Sequence, residues 1–227
     1  MQRVLIANRG EIALRLIEAS AALGIESVAI HPPADANSLH TRAADHVRQL
    51  PGDGVAAYLD IDAVLAAAAD AGCDAVHPGY GFLAENADFA RRCTASGLTF
   101  VGPSPEALEL FGDKVAARRL AIEAGIPVVP GTPTAITADS AGSEAAAIGY
   151  PVMLKAAAGG GGRGMRAVTS ADDLPEALER CVGEATTAFG DGTVFIEKLI
   201  ARPRHIEVQV LADSTGAVVH LWDRDCS

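Results

Sequence analysis

Residues 150–165 read YPVMLKAAAGGGGRGM, in which a glycine-rich run separates two short apolar segments. The flanking segments have the length and composition of strands, so the run between them is expected to be a connecting loop. Four successive glycines held in regular structure would cost about 2–4 kcal/mol relative to alanine. The stretch therefore predicts a β-hairpin with a glycine tip.

The predicted loop has the chemistry of an anion site. Backbone N–H groups without neighbouring Cβ atoms approach a phosphate closely, and Lys155 and Arg163 add positive charge beside them. This combination favours a polyphosphate, with a glycine-rich linker as the alternative. The sequence after the glycines does not match a P-loop, and no G-x-G-x-x-G motif follows the first predicted strand.

Composition restricts the class of protein. The chain has 227 residues, 49% of them apolar, which is enough for a substantial core and two compact units. Its net charge of −11 disfavours nonspecific binding to nucleic acid. No apolar run reaches the length that spans a membrane, and the apolar N-terminal segment is too short for a signal peptide.

The cysteines indicate a reducing compartment. Cys73, Cys93, Cys181 and Cys226 form no C-x-x-C pair, so neither a zinc site nor a redox motif is indicated. We interpret them as reduced thiols in a cytoplasmic protein.

The first half of the sequence alternates strand patterns with helix patterns. The predicted strands cover residues 3–7, 27–31, 47–50, 74–77 and 99–102, and the predicted helices cover 11–23, 61–71 and 85–96. Alternation at this spacing predicts a parallel sheet covered by helices.

Cap and turn signals organise the second half. Ser104 and Pro105 start one helix, and Asp113 caps another that runs to residue 123. The segment 126–133 contains three prolines and predicts a domain boundary or hinge. The elements expected beyond it are a helix over 138–148, the glycine hairpin, a helix that opens at Ser170, a strand over 194–199, and a hairpin that turns at 213–216. Because the final predicted strand, 218–224, is apolar, we expect the functional unit to continue past Ser227.

Two strand patterns carry polar residues suited to a ligand site. Glu197 lies beside Lys198 within an apolar run, and we expect Glu197 and the adjoining backbone to hold an adenine amine and ring nitrogen. The alternative interpretation is that Glu197 and Lys198 form an ion pair at the surface. In the strand over 204–210, alternation places His205 on one face with Glu207 and Gln209, although this strand by itself favours a solvated polar face over a ligand site.

Two lysines are candidate phosphate ligands. Lys155 ends the strand before the glycine loop, where a lysine either contacts phosphate or extends to solvent. Lys114 lies in the first turn of a predicted helix, where the macrodipole disfavours a cation.

The segment HPGYGFLAEN, residues 77–86, follows a predicted strand. Ligands of open α/β sheets bind outside the carboxyl ends of the strands. A strand-to-helix turn that needs glycine is the alternative interpretation.

Together these motifs resemble biotin carboxylase, an ATP-grasp enzyme that serves as the ATP-dependent component of biotin-dependent carboxylases. The strings that carry the resemblance, in family order from residue 3 to residue 227, are IANRGEIALR, HPGYGFLAEN, FVGPS, GDKVAAR, YPVMLKAAAGGGGRGM, IEKLI, PRHIEVQVLAD and RDCS.

The resemblance implies an α/β fold in which a Rossmann-like domain with a parallel sheet precedes a partial ATP-grasp module. That module would consist of an α+β lid and the start of a second ATP-grasp subdomain. The implied ranges are 1–113 for the N-terminal biotin carboxylase domain, 114–129 for a linker helix and hinge, 130–199 for the lid with the glycine loop, and 200–227 for the truncated start of the C-terminal subdomain.

The resemblance also implies an activity. In this family ATP and bicarbonate give carboxyphosphate, whose CO₂ is transferred, with the help of Mg²⁺, to N1′ of biotin on a carrier. The implied partners are a biotin carboxyl carrier domain or protein, a carboxyltransferase component and, for the full-length form, a second copy of the chain. Nucleic acid and membranes are not among them.

Several positions match the residues by which the family binds its ligands. The positions carried over as ATP contacts are Lys114, Lys155, Gly159, Gly160, Gly161, Gly162, Met165, Glu197, Lys198, Leu199, Ile200 and His205. Tyr80 and Gly81 match positions near the biotin ureido ring. The catalytic groups and Mg²⁺ ligands of the family come after Ser227, so we expect no catalytic or metal-binding residue in this chain and no turnover by it alone.

The sequence departs from the family pattern at Ala157 and Ala158, where a serine and a fifth glycine are usual. Two alternatives are also compatible with the motifs. One is another ATP-grasp ligase of the carbamoyl-phosphate synthetase type, and the other is a noncatalytic module for nucleotide binding or subunit contacts.

Overall fold

The computed structural model describes residues 1–158, 164–213 and 215–227. The chain divides into two compact units, Met1–Ala117 and Arg118–Ser227. The predicted fold class is confirmed, because the first unit contains a parallel sheet and the second contains antiparallel sheets with helices. The finer division into four ranges stays a prediction.

The parallel sheet of the first unit has the strand order β3-β2-β1-β4-β5. Its strands are β1 (Arg3–Ile6), β2 (Glu26–His31), β3 (His46–Gln49), β4 (Ala75–His77) and β5 (Thr99–Phe100). The chain passes from β1 through β2 to β3 on one side and then crosses to β4 on the other side. The direction of winding therefore changes between β1 and β4, which is where open α/β sheets form a crevice.

Helices cover this sheet because its strands are apolar on both faces. The helices of the unit are α1 (Gly10–Ala22), α2 (Leu39–Ala43), α3 (Gly54–Ala57), α4 (Ile61–Asp70), α5 (Ala87–Ala95) and α6 (Pro105–Gly112). Leu5, Ile30 and Val76 of the sheet are buried in one cluster with Val64 of α4 and Phe89 of α5. The short helices α2 and α3 are not among the predicted elements.

The predicted helix starts at residues 104 and 113 are confirmed. Ser104 accepts a hydrogen bond from the backbone N–H of Ala107 and caps α6. Asp113 does the same for the first turn of α7 (Lys114–Glu123), where it accepts from the N–H groups of Val115 and Ala116.

The second unit is built on a three-stranded antiparallel sheet with the order β7-β6-β8. The strands are β6 (Val152–Ala156), β7 (Met165–Val168) and β8 (Val194–Lys198), and the helices that cover the sheet are α8 (Ala138–Ile148) and α9 (Leu174–Phe189). Val152, Leu154 and Ile196 are buried against residues of both helices. The predicted β6–β7 hairpin is confirmed, with Lys155 paired to Met165.

The prediction that a helix opens at Ser170 is wrong, because α9 begins at Leu174. The hydroxyl of Ser170 donates to the carboxylate of Asp173, and residues 171–173 form a turn. Proline is favoured in the first turn of a helix, since its missing N–H has no intrahelical partner there, and Pro175 fixes the start at this point.

A second antiparallel hairpin, β9 (Ile206–Ala212) and β10 (Val218–Asp225), confirms the predicted turn near residue 213. Asp213 accepts hydrogen bonds from the N–H groups of Thr215 and Ala217 and so closes this turn. Both strands are exposed on both faces. Within the described residues, no helix is both long enough and apolar enough to span a bilayer.

Candidate functional site

The β7-β6-β8 sheet has two chemically different faces. Alternation along the strands places Val152 and Leu154 under the helices and Met153 and Lys155 on the other side. The residues on that other side, which we call the charged face, include Met153, Lys155, Met165 and Glu197. Three of the positions matched to ATP contacts, Lys155, Met165 and Glu197, therefore share one face.

The carboxylate of Glu197 lies between two cations. The Nζ atom of Lys155 donates to Oε2 of Glu197 at 2.5 Å, and Nη1 of Arg118 donates to Oε1 at 3.1 Å. All three side chains are at least partly buried, so these contacts are screened less than ion pairs at the surface. The arrangement binds a cation beside the glycine loop to a carboxylate on the neighbouring strand.

The backbone of residues 130–132 runs along the free edge of β8. The N–H of Thr132 donates to the carbonyl of Ile196 at 2.8 Å, and the N–H of Lys198 donates to the carbonyl of Pro130 at 2.7 Å. A Cβ atom on Gly131 would lie 2.6 Å from the carbonyl oxygen of Ile196, so only glycine allows this approach. Part of the segment predicted as a boundary or hinge is therefore bound to the strand that carries Glu197.

The structure separates Lys198 from the other predicted ATP contacts. Lys198 pairs with Val152 and lies on the face that the helices cover. Its Nζ atom donates to the backbone carbonyls of Gly149 and Tyr150 at 2.9 and 3.0 Å. Adjacent residues of a strand point to opposite faces, which is why Glu197 and Lys198 do not act together here.

The remaining matched positions of the second unit follow β8. The N–H of Leu199 donates to the carbonyl of Pro151, and Ile200 and His205 are exposed. β9 begins at Ile206, two residues after the predicted start at 204, so His205 directly precedes the strand. Its backbone carbonyl still accepts the N–H of Cys226 at 2.8 Å.

The glycine loop is described only at its ends. Gly159, Gly160, Gly161, Gly162 and Arg163 lie outside the described residues, and their role in phosphate binding stays a prediction. The other predicted phosphate ligand, Lys114, is the first residue of α7.

The first unit holds Tyr80 and Gly81 at the point where the winding of the sheet changes direction. The buried amide of Asn8, two residues after the end of β1, donates from Nδ2 to the carbonyls of Pro78 and Tyr80 at 2.7 and 2.9 Å. Gly79 has a positive φ of 66°, and a Cβ atom there would lie 2.6 Å from Cγ2 of Ile12. The side-chain amide of Asn8 and the close packing of Gly79 together fix the conformation of the backbone at Tyr80.

Tyr80 and His77 make further contacts around this crevice. The hydroxyl of Tyr80 donates to Oε1 of Glu11 at 2.6 Å. Burial lowers the pKa of His77, and its Nδ1 accepts the N–H of Gly79 at 3.1 Å. Both observations indicate a neutral imidazole near pH 7.

The cysteines are free thiols with little tendency to ionise. Burial raises the pKa of Cys73 and of Cys93 to about 11, and burial also raises the pKa of Cys181. Slight desolvation and the neighbouring carboxylate of Glu207 raise the pKa of the exposed Cys226. The thiolate is the reactive form, so these cysteines are poor nucleophiles. Among residues 1–158, 164–213 and 215–227, no group of three or more His, Cys, Asp and Glu side chains is arranged to hold a metal ion.

Comparison with protein families covers both units. Residues 1–108 match the family described as biotin carboxylase, N-terminal domain, and residues 113–227 match the family described as carbamoyl-phosphate synthase L chain, ATP binding domain. The chain belongs to the biotin carboxylase family. The resemblance identified from the sequence motifs is confirmed.

Curated relatives of this biotin carboxylase family member match it along its length. It is 51% identical to biotin carboxylase from Halalkalibacterium halodurans, covering 100% of this chain and 50% of that protein. It is 53% identical to pyruvate carboxylase 1 from Caenorhabditis elegans, covering 99% of this chain and 19% of that protein. The chain thus spans half or less of the length of these relatives.

Solved structures of the family have the same fold. Biotin carboxylase from Campylobacter jejuni, solved as a β-γ-ATP complex, has a TM-score of 0.96 at 47% identity. The match covers 100% of this chain and 51% of that one. The biotin carboxylase domain dimer of Hydrogenobacter thermophilus 2-oxoglutarate carboxylase, with MgADP, ADP and bicarbonate, has a TM-score of 0.95 at 44% identity over 100% of this chain and 50% of that one.

Sequence reasoning missed three residues that shape the crevice of the first unit and the charged face of the second. They are Asn8, Arg118 and Gly131. All three occur in strings or segments that the motifs had already marked, but each makes a contact with a residue more than 65 positions away in the sequence. A pattern read along the chain does not show which distant group a side chain meets.

Proposed function

We propose that this chain forms the nucleotide-binding part of a biotin carboxylase that uses ATP and bicarbonate to carboxylate biotin through carboxyphosphate. The observation that carries the proposal is the contact between Lys155 and Glu197 on the charged face. It joins a cation beside the glycine loop, suited to phosphate, to a hydrogen-bond acceptor suited to an adenine amine.

The proposed roles follow from the chemistry of each group. Lys155 and the glycines 159–162 would bind the polyphosphate, with Lys114 adding positive charge and His205 adding a ring nitrogen for hydrogen bonding. Glu197 would accept from the adenine amine, the backbone near Leu199 would bind a ring nitrogen, and Met165 and Ile200 would pack on the ring. Phosphoryl transfer depends mainly on such positioning and charge neutralisation. A phosphate contact by Lys198 would require its ammonium to leave the two carbonyls that it now binds.

The proposed reaction also involves biotin on a carrier, a carboxyltransferase component and Mg²⁺. Tyr80 and Gly81 would face the biotin ureido ring of a carrier domain or protein, and a carboxyltransferase component would use the product. When bound, Mg²⁺ would neutralise polyphosphate charge, and we assign no Mg²⁺ ligand to the described residues. We further propose a cytoplasmic enzyme that is a homodimer in its full-length form.

Two measurements on the whole chain test the proposal. The first is bicarbonate-dependent ATP cleavage with and without free biotin and Mg²⁺, for which we expect no turnover in any condition. The second is ADP binding by calorimetry, for which we expect measurable affinity that falls about 10- to 100-fold in Lys155→Met, since a hydrogen bond to a charged group is lost.

The control for the binding measurement is Arg180→Met, which removes an exposed arginine from the same unit and should leave ADP affinity unchanged. Absence of ADP binding by the wild-type chain would contradict the proposed site. Biotin-stimulated ATP cleavage would instead show that this chain holds the catalytic groups of the proposed reaction.

A further inference from the structure

We propose that Arg118 is a positioning residue that holds the carboxylate of Glu197 in the orientation that selects adenine over guanine. The inference rests on the proposed role of Glu197 at the adenine amine. Arg118 itself would touch no substrate and would act through Glu197.

Arg118 is fixed at two points. Its Nη1 atom donates to Oε1 of Glu197 at 3.1 Å, and its Nη2 atom donates to the carbonyl of Val129. The side chain is 11% exposed and that of Glu197 is 16% exposed. A planar guanidinium held at both nitrogens orients its partner more strongly than a flexible ammonium does.

The two cations on Glu197 differ in how easily a nucleotide can remove them. Lys155 is 33% exposed, binds Oε2 and lies in the strand that leads into the glycine loop. An incoming polyphosphate competes for this ammonium and thereby releases Oε2 to accept a hydrogen bond from the base. Arg118 remains on Oε1, so the carboxylate keeps both its charge and its orientation during the exchange.

A carboxylate held in this way discriminates between bases. An ionised carboxylate only accepts hydrogen bonds, whereas the 6-amino group of adenine donates and the 6-oxo group of guanine accepts. Guanine would place its 6-oxo acceptor against the carboxylate of Glu197, which is also an acceptor. A partly buried site strongly rejects a ligand that leaves two acceptors facing each other. Loss of Arg118 would free Glu197 to turn away, and the preference for adenine would decrease.

Stability alone does not account for an arginine at this position. The Nε atom of Arg118 is buried and has no hydrogen-bond partner in the described part of the chain. A buried donor without a partner is unfavourable, and apolar side chains often replace buried ion pairs without loss of stability.

The test measures ADP and GDP binding to the whole chain by calorimetry in the wild type, Arg118→Met and Arg118→Lys. The matched control is Arg119→Met, because Arg119 is the exposed neighbour whose contact with Glu123 lies on the helix surface. We expect the ADP-over-GDP preference to fall about tenfold in Arg118→Met through weaker ADP binding, with partial rescue in Arg118→Lys and no change in Arg119→Met.

Each outcome decides between the two proposals. A wild-type chain that binds no ADP, or that binds ADP and GDP equally, overturns the proposed role of Glu197. A wild-type chain that prefers ADP, with the same preference in both Arg118 variants, overturns only the role of Arg118. An equal loss of ADP and GDP binding in Arg118→Met would show that Arg118 only supports the structure and does not select the base. If Arg118→Met does not fold, Arg118→Lys provides the comparison of ADP with GDP binding.

Discussion

Polar site groups lie at the strand ends of the parallel sheet in Met1–Ala117, whereas in Arg118–Ser227 they lie on one face of an antiparallel sheet. In the first unit Asn8 and His77 are neutral and are held by hydrogen bonds with the backbone. In the second unit Glu197 lies between two cationic side chains.

The difference follows from how each sheet is covered. A parallel sheet with apolar residues on both faces leaves only the ends of its strands for a polar site. The β7-β6-β8 sheet buries one face under α8 and α9, so its other face is available for charged side chains. Removal of one polar side chain should therefore reduce the stability of the two units by different amounts.

The largest effect is expected for Glu197→Ala. This change leaves Arg118, which is only 11% exposed, without its counter-charge. Breaking a buried ion pair by removing one partner costs about 3–5 kcal/mol. We expect a loss of this size in the opening free energy of the second unit, measured by hydrogen exchange at amides of β6 and β8 in the whole chain.

The matched change for this prediction is Glu176→Ala. Glu176 forms an ion pair with Arg180 on the exposed surface of α9, with side chains 71% and 61% exposed. Exposed pairs contribute about 0–1 kcal/mol, so exchange should change little. Similar losses in the two variants would show that burial does not distinguish the charged face.

A smaller effect, confined to the first unit, is expected for Asn8→Asp. The substitution keeps the shape of the side chain but turns an acceptor toward the carbonyls of Pro78 and Tyr80. Leaving buried groups unsatisfied costs about 1–3 kcal/mol. Hydrogen exchange in β1 and β4 should accelerate accordingly, while β6 and β8 stay protected.

Asn37→Asp serves as the control for that change, because Asn37 is an exposed residue of the same unit. We expect it to have almost no effect on exchange. If Asn8→Asp altered both units, the two sites would not be held independently.

The smallest effect concerns pH. Burial lowers the pKa of His77 and of His40, so both are neutral when folded and titrate near 6.5 when unfolded. As the pH falls below about 6.5, the unfolded state binds protons that the folded state does not, and the first unit loses stability until the pH passes the folded pKa. Each histidine contributes at most about 1.4 kcal/mol per pH unit.

Urea unfolding between pH 7 and pH 5, followed by exchange in β1 and β4, would measure this slope. His77→Asn keeps an acceptor for the N–H of Gly79 and removes the titrating group. A shallower slope is the expected result for this variant. A slope equal to that of the wild type would mean that His77 does not contribute.

Local chemistry made most of the fold predictable. The elements of the parallel sheet, the Ser104 and Asp113 caps and the glycine hairpin follow from patterns within a few residues. One error was also local, since Pro175 marks the true start of α9. The opposite faces of Glu197 and Lys198 likewise follow from strand alternation, although both had been assigned to one ligand.

The sequence by itself determined the family, the parallel sheet, the two hairpins and the positions of the candidate ligand-binding residues, because periodicity, turn chemistry and motif order act over short distances. Only the tertiary structure decided that Arg118 meets Glu197, 79 positions away, and that Asn8 meets Pro78 and Tyr80. The physical reason is that hydrogen bonds and ion pairs are set by distance in space. Packing brings such groups within about 3 Å, and no pattern along the chain encodes which groups will meet.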